Sequence, residues 1–89
     1  MGTDKDVSAY DAKAVGGVLR RVRLAAGLSQ EGLARESDLH PTYISLLERG
    51  RATPTLRAVW VIAPAVGLRP SEFIALIEIE MDGGLTATQ

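Results

Sequence analysis

Apolar residues recur along this chain at the three-and-four spacing of an amphipathic helix, in five runs separated by glycine, proline or small polar residues. Ala14, Val15, Val18, Leu19, Val22 and Ala25/Ala26 make the first run. They predict a helix over 11–26 that stops at Gly27, a residue that takes the left-handed capping conformation cheaply. Ser29 suits the N-cap of a short second helix over 30–37. Gly32 stands where a full capping box would carry Glu or Gln, so this cap is half built. Asp38 falls in the turn that follows, at a position expected to need a left-handed backbone. Pro41 suits the first position of a third helix over 41–49, with Ile44 and Leu47 inward, Leu39 beneath its start and Gly50 at its end. Thr55 can cap a fourth helix over 56–66, with Leu56, Val59, Trp60, Ile62, Ala63 and Val66 expected mostly inward. Pro64, late in that helix, should kink it or remove one backbone bond. Gly67 ends it, and Pro70 opens a fifth helix over 70–81 with Phe73, Ile74, Leu76, Ile77 and Met81 apolar.

No stretch alternates as a strand would, so the expected fold class is all-α, with one domain over 11–81. Residues 1–10 read as a flexible polar arm and 82–89 as a disordered tail. Within the domain, residues 29–50 (SQEGLARESDLHPTYISLLERG) describe two short helices joined by a tight turn, the second with one face left free. That is the helix-turn-helix layout, which offers a helix to the DNA major groove.

A net charge of −1 over 89 residues argues against a nucleic-acid binder until the charge is located. Residues 19–57 hold seven arginines against four carboxylates, a net +3, whereas 1–18 carry −1 and 58–89 carry −3. The positive region coincides with the two-helix motif, and the acidic ends can face away from a polyanion. The excess is small, so two copies on one duplex would bind far better than one. The chain has no cysteine, which excludes disulfides, thiolate zinc sites and cysteine nucleophiles and fits a reducing compartment. No apolar run approaches membrane-spanning length, and the first residues are too polar for a secretion signal. His40 is the single histidine, the acidic residues show no catalytic pairing, and no glycine loop is built to cradle phosphate. The expectation is therefore a cytoplasmic protein that is not an enzyme, with no cofactor, no metal and no evident small-molecule ligand.

The segments GLSQEGLA, DLHPTYISLLERGRATPTL and VGLRPSEF, in this order and spacing, resemble the Cro/C1-type helix-turn-helix family, also called the XRE family. The resemblance covers about residues 15–77 and is greatest to small stand-alone members such as restriction–modification controller proteins. It implies a five-helix, lambda-repressor-like DNA-binding domain, usually a transcription regulator working as a homodimer on a pseudo-palindromic operator. On this resemblance Thr42, Tyr43 and Leu46 face base edges, with His40 either capping the recognition helix or reaching the DNA. Gln30, Ser45, Arg35, Arg49, Arg51 and Thr53 meet phosphates, and Gln30 also braces the recognition helix. Ala34 is the small residue that lets the two helices approach, and Arg23 and Glu48 form a partly buried structural ion pair. Pro41 and Leu46 stand where many relatives carry polar base readers, and Asp38 stands where they carry glycine.

The apolar face of the last helix either closes the chain's own core, for which Phe73 alone could serve, or offers a dimer interface, the favoured reading, with Phe73, Ile74, Ile77 and Met81 as its expected residues. The competing reading is a protein-interaction module of antitoxin type that binds promoter DNA only secondarily. Its distinguishing feature would be an extended C-terminal arm for the partner, for which the dozen or so residues after Ile77 leave limited room.

Overall fold

A computed structural model describes residues 10–83, which form five helices and, among the described residues, no strand. They are α1 (Ala12–Ala25), α2 (Gln30–Ser37), α3 (Pro41–Glu48), α4 (Leu56–Ala65) and α5 (Pro70–Met81). The expected arm and tail lie almost wholly outside the described residues.

Each helix starts where a side chain can satisfy its free N–H groups. The Asp11 carboxylate accepts from the N–H of Lys13, Ser29 Oγ from Gly32 and Thr55 Oγ1 from Ala58. His40 opens α3 in the same way, its Nδ1 accepting from the Thr42 N–H at 3.0 Å. At α5 the relation reverses, and the Glu72 carboxylate accepts from the Arg69 N–H at 2.8 Å.

The core joins Val18 and Leu19 of α1, Leu33 and Ala34 of α2, Ile44 and Leu47 of α3, Ala58, Val59, Ile62 and Ala63 of α4, and Phe73 of α5. Leu39 packs against this cluster from the turn, as expected. Two inward assignments on α4 are wrong. Leu56 is 66% exposed and Trp60 59% exposed. The core side of α4 is the stripe of Ala58, Val59, Ile62 and Ala63, and Leu56 and Trp60, one turn apart, lie on the opposite stripe. An apolar residue counts as inward only if its angle on the helix agrees, and theirs does not.

Pro64 sits within the last turn of α4, on the exposed side. It has no N–H to give the Trp60 carbonyl, but the helix continues to Ala65. α4 and α5 meet at a bend of 104°, and no single described helix is long and apolar enough to cross a membrane.

Candidate nucleic-acid interface

The turn between α2 and α3 fixes how far the third helix stands out. Asp38 takes a left-handed backbone (φ 57°, ψ 43°), the only non-glycine with positive φ among the described residues. That conformation lets the Leu39 N–H return to the Ala34 carbonyl at 2.9 Å and close the end of α2. Ala34 is buried, as a small residue between two helices must be, and the buried Ser37 hydroxyl donates to the Leu33 carbonyl at 2.6 Å.

α3 buries Ile44 and Leu47. At 100° per residue the opposite side is Thr42, Ser45, Leu46 and Arg49. Thr42 and Arg49 are exposed, and Ser45 and Leu46 half-buried. Tyr43 falls on the flank between the two sides, so its ring packs partly on the core, and its hydroxyl accepts the Thr55 N–H at 3.3 Å. This bond ties the recognition helix to the start of α4. His40 caps α3, the first of the two roles open to it in the sequence, and its ring remains exposed.

The far end of α3 is held by a buried network. The Arg23 guanidinium donates to both Glu48 oxygens, through Nε to Oε2 and through Nη2 to Oε1 at 2.9 Å. Its Nη1 donates to the Leu28 carbonyl at 2.8 Å, and Gln30 Nε2 donates to Glu48 Oε1 at 2.9 Å. Hydrogen bonding to Glu48 raises the Arg23 pKa above its ordinary value; burial opposes this and the attraction of the carboxylate adds to it. The network joins α1, the start of α2 and the end of α3. Gln30 is thus seen bracing the recognition helix, with its second amide hydrogen available for a phosphate.

One residue of this arrangement was missed in the sequence. Gly16 is buried where α1 crosses the end of α3, and a Cβ there would overlap the carbonyl oxygens of Leu47 and Glu48. A glycine inside a helical run signals such a close approach, but not what approaches.

Arg35, Arg49, Arg51 and Thr53 are exposed, and among the described residues none of these arginines pairs with a carboxylate. Arg57, not singled out in the sequence, is exposed in the first turn of α4, beyond the same loop. The described ion pairs are Arg23–Glu48 and an exposed Arg21–Glu80 contact at 3.3 Å. Among the described residues no group of acidic or histidine side chains could hold a metal ion.

The residues expected at a dimer interface do not form one free face. Phe73 is 1% exposed and belongs to the core of its own chain, because α5 turns that side onto α4 and α1. Ile77 packs partly on the same core, and Met81 is half-buried, its sulfur accepting the Asp11 N–H at 3.3 Å. Ile74, by contrast, is open to solvent.

A capped, outward helix after a tight left-handed turn, braced from behind by an arginine–glutamate–glutamine network, defines a helix-turn-helix protein. The comparisons with known proteins agree: residues 19–73 match the helix-turn-helix family model. The chain belongs to the Cro/C1-type (XRE) helix-turn-helix family, DNA-binding transcription regulators that are not enzymes. It is 42% identical over 57 residues to control protein C.BamHI of Bacillus amyloliquefaciens, a match covering 63% of this chain and 70% of that protein. Among solved structures it is similar to the restriction-modification controller protein C.AhdI from Aeromonas hydrophila, with TM-score 0.68 and 38% identity over 71% of this chain and 96% of the other. It is also similar to the controller protein C.Esp1396I, solved as a tetramer in complex with its natural 35 base-pair operator, with TM-score 0.72 and 29% identity over 81% of this chain and 95% of the other.

Proposed function

We propose that this protein is a sequence-specific DNA-binding regulator of transcription that acts as a homodimer on a pseudo-palindromic operator, in the cytoplasm with the DNA it reads. The α3 helix of each copy enters the major groove, and the two grooves lie about 34 Å apart along the duplex. The observation that carries this reading is the outward side of α3. Thr42 stands free there, Ser45 and Leu46 are partly open, and Arg49 and Arg51, which pair with no carboxylate among the described residues, follow.

Thr42 offers a hydroxyl to a base edge, Leu46 a methyl surface to thymine, and Tyr43 a hydroxyl proton that its bond to Thr55 leaves free to donate. The exposed edge of the His40 ring borders the same groove. Gln30, Arg35, Ser45, Arg49, Arg51 and Thr53 hold the phosphates and set the register. With Pro41 and Leu46 in place of polar readers, hydrogen-bond readout is thin, and sequence-dependent DNA shape supplies part of the specificity.

Selection from a random duplex pool tests this. The expected product is a pair of inverted half-sites, and repeating the selection with Thr42→Ala should relax base preference at a symmetric position in both halves. A pool that shows no enrichment, or a T42A product identical to the parent's, contradicts the reading.

A further inference from the structure

The turn before α3 leaves a half-open cleft of about 370 Å³ against the first turns of α4. Leu39, Ala58 and Val61 give it an apolar lining, and the half-buried Tyr43 ring adds to that surface. Asp38 lines it from the turn and Arg57 from α4. Both side chains are exposed, yet among the described residues neither joins an ion pair, so two opposite charges border one space without meeting. Tyr43 Oη accepts the Thr55 N–H and Thr55 Oγ1 accepts the Ala58 N–H, so each hydroxyl keeps its own proton to donate. Asp38 adds a second, independent observation. It is the only non-glycine with positive φ among the described residues, and no ion pair there offsets that strain. A strained backbone that its own fold does not require points to a function for the side chain it carries.

We propose that this cleft binds a small zwitterion of the free amino-acid class, its ammonium on Asp38, its carboxylate on Arg57 and an apolar side chain on Leu39, Ala58 and Val61. The cleft is invisible in the sequence because its walls come from the turn, from α3 and from α4, and only the fold brings them together.

Charge selects this class. A simple anion would meet the Asp38 carboxylate as a like charge, and a simple cation would meet Arg57 in the same way. A molecule that carries both charges satisfies both walls. Its carboxylate suits the planar fork of the guanidinium, with the Tyr43 and Thr55 hydroxyls as further donors. Size agrees. Small-molecule sites run from about 300 to 1,000 Å³, and a cleft near the lower end holds a single amino acid rather than a peptide. A ligand this small in a half-open site binds with a dissociation constant on the order of 1 mM. Tyr43 belongs to the recognition helix, so an occupant that takes its hydroxyl proton withdraws that donor from DNA. This coupling rests on the DNA-binding reading above, whereas ligand binding itself does not.

The test titrates the full chain, labelled with nitrogen-15, with each of the standard L-amino acids up to about 20 mM and follows the backbone amide resonances. The expected result is a saturable shift at Leu39, Tyr43, Thr55 and Val61 with at least one apolar amino acid such as leucine. Leucinamide, which lacks the carboxylate, and N-acetylleucine, which lacks the ammonium, should each bind about tenfold more weakly or worse. Asp38→Asn and Arg57→Gln should each weaken binding of the parent amino acid to a similar degree. Asparagine tolerates the left-handed turn, and circular dichroism checks that both variants fold. No saturable shift from any amino acid, shifts that saturate at residues away from the cleft, or analogues and variants that bind as well as the parents overturn the assignment. A second arm measures affinity for the selected duplex at saturating amino acid and expects a loss of several-fold. An unchanged affinity there overturns the coupling to DNA. Failure to bind any duplex, with ligand binding intact, is instead a failure of the DNA-binding reading.

Discussion

Arg23 and Glu48 carry the greatest weight of any two side chains, because three segments of the chain meet at them. Removing one partner leaves a buried charge without its counterion, at a cost of about 3–5 kcal/mol. Glu48→Ala should therefore lower the unfolding free energy by that order in a urea titration, and a loss within the range of an exposed ion pair would contradict the buried network. The raised Arg23 pKa keeps the guanidinium charged at all working pH values. Its contribution is complete below the ordinary arginine range and is lost only as pH rises through the still higher folded value. Gly16 is the second sensitive position. Gly16→Ala forces a methyl group against two backbone carbonyls, and overpacking of this kind costs about 1–3 kcal/mol. An alanine variant as stable as the parent would mean that α1 and α3 can move apart at no cost.

Among the elements, the turn before α3 and the cap that opens it decide how the recognition helix is presented. Asp38 holds a left-handed conformation that glycine adopts without penalty, so Asp38→Gly should stabilise the fold by up to about 1 kcal/mol. His40→Ala removes the Nδ1 acceptor at the start of α3 and should destabilise by about 1 kcal/mol. Both are measured by thermal or chemical unfolding, and a change of opposite sign in either would remove the physical account of the turn. The helices themselves were legible in the sequence because caps and stops are local: Ser29, Thr55, Pro41, Pro70, Gly27 and Gly67 all stand where the described helices begin or end. The outward side of α3 was legible for the same reason, since Ile44 and Leu47 fix its angle. The sides of α4 and α5 were not. Both runs carry apolar residues nearly all round, so spacing alone could not say which stripe meets the core: Trp60, expected inward, lies outside, and Phe73, which the sequence offers both to an interface and to the core, lies in the core. Nor could spacing show which backbone passes over Gly16, because that depends on where α3 lies in space.

For the whole molecule, the uneven charge along the chain explains how a protein of net charge −1 meets a polyanion. Of the seven arginines of 19–57, Arg49 and Arg51 follow the recognition helix directly and Arg35 and Arg57 lie exposed on α2 and α4, while the excess carboxylates follow in α5 and just beyond. The proposed function requires Arg49 and Arg51, behind the free side of α3, to engage phosphates rather than remain solvated surface charge. A salt titration of binding to the selected duplex measures this directly. The logarithm of affinity should fall linearly with the logarithm of salt concentration, and the Arg49→Ala, Arg51→Ala double variant should weaken binding and reduce the slope by about 2 for each bound copy. An affinity indifferent to salt, or a double variant with the slope of the parent, would leave both arginines off the phosphates and remove the proposed clamp.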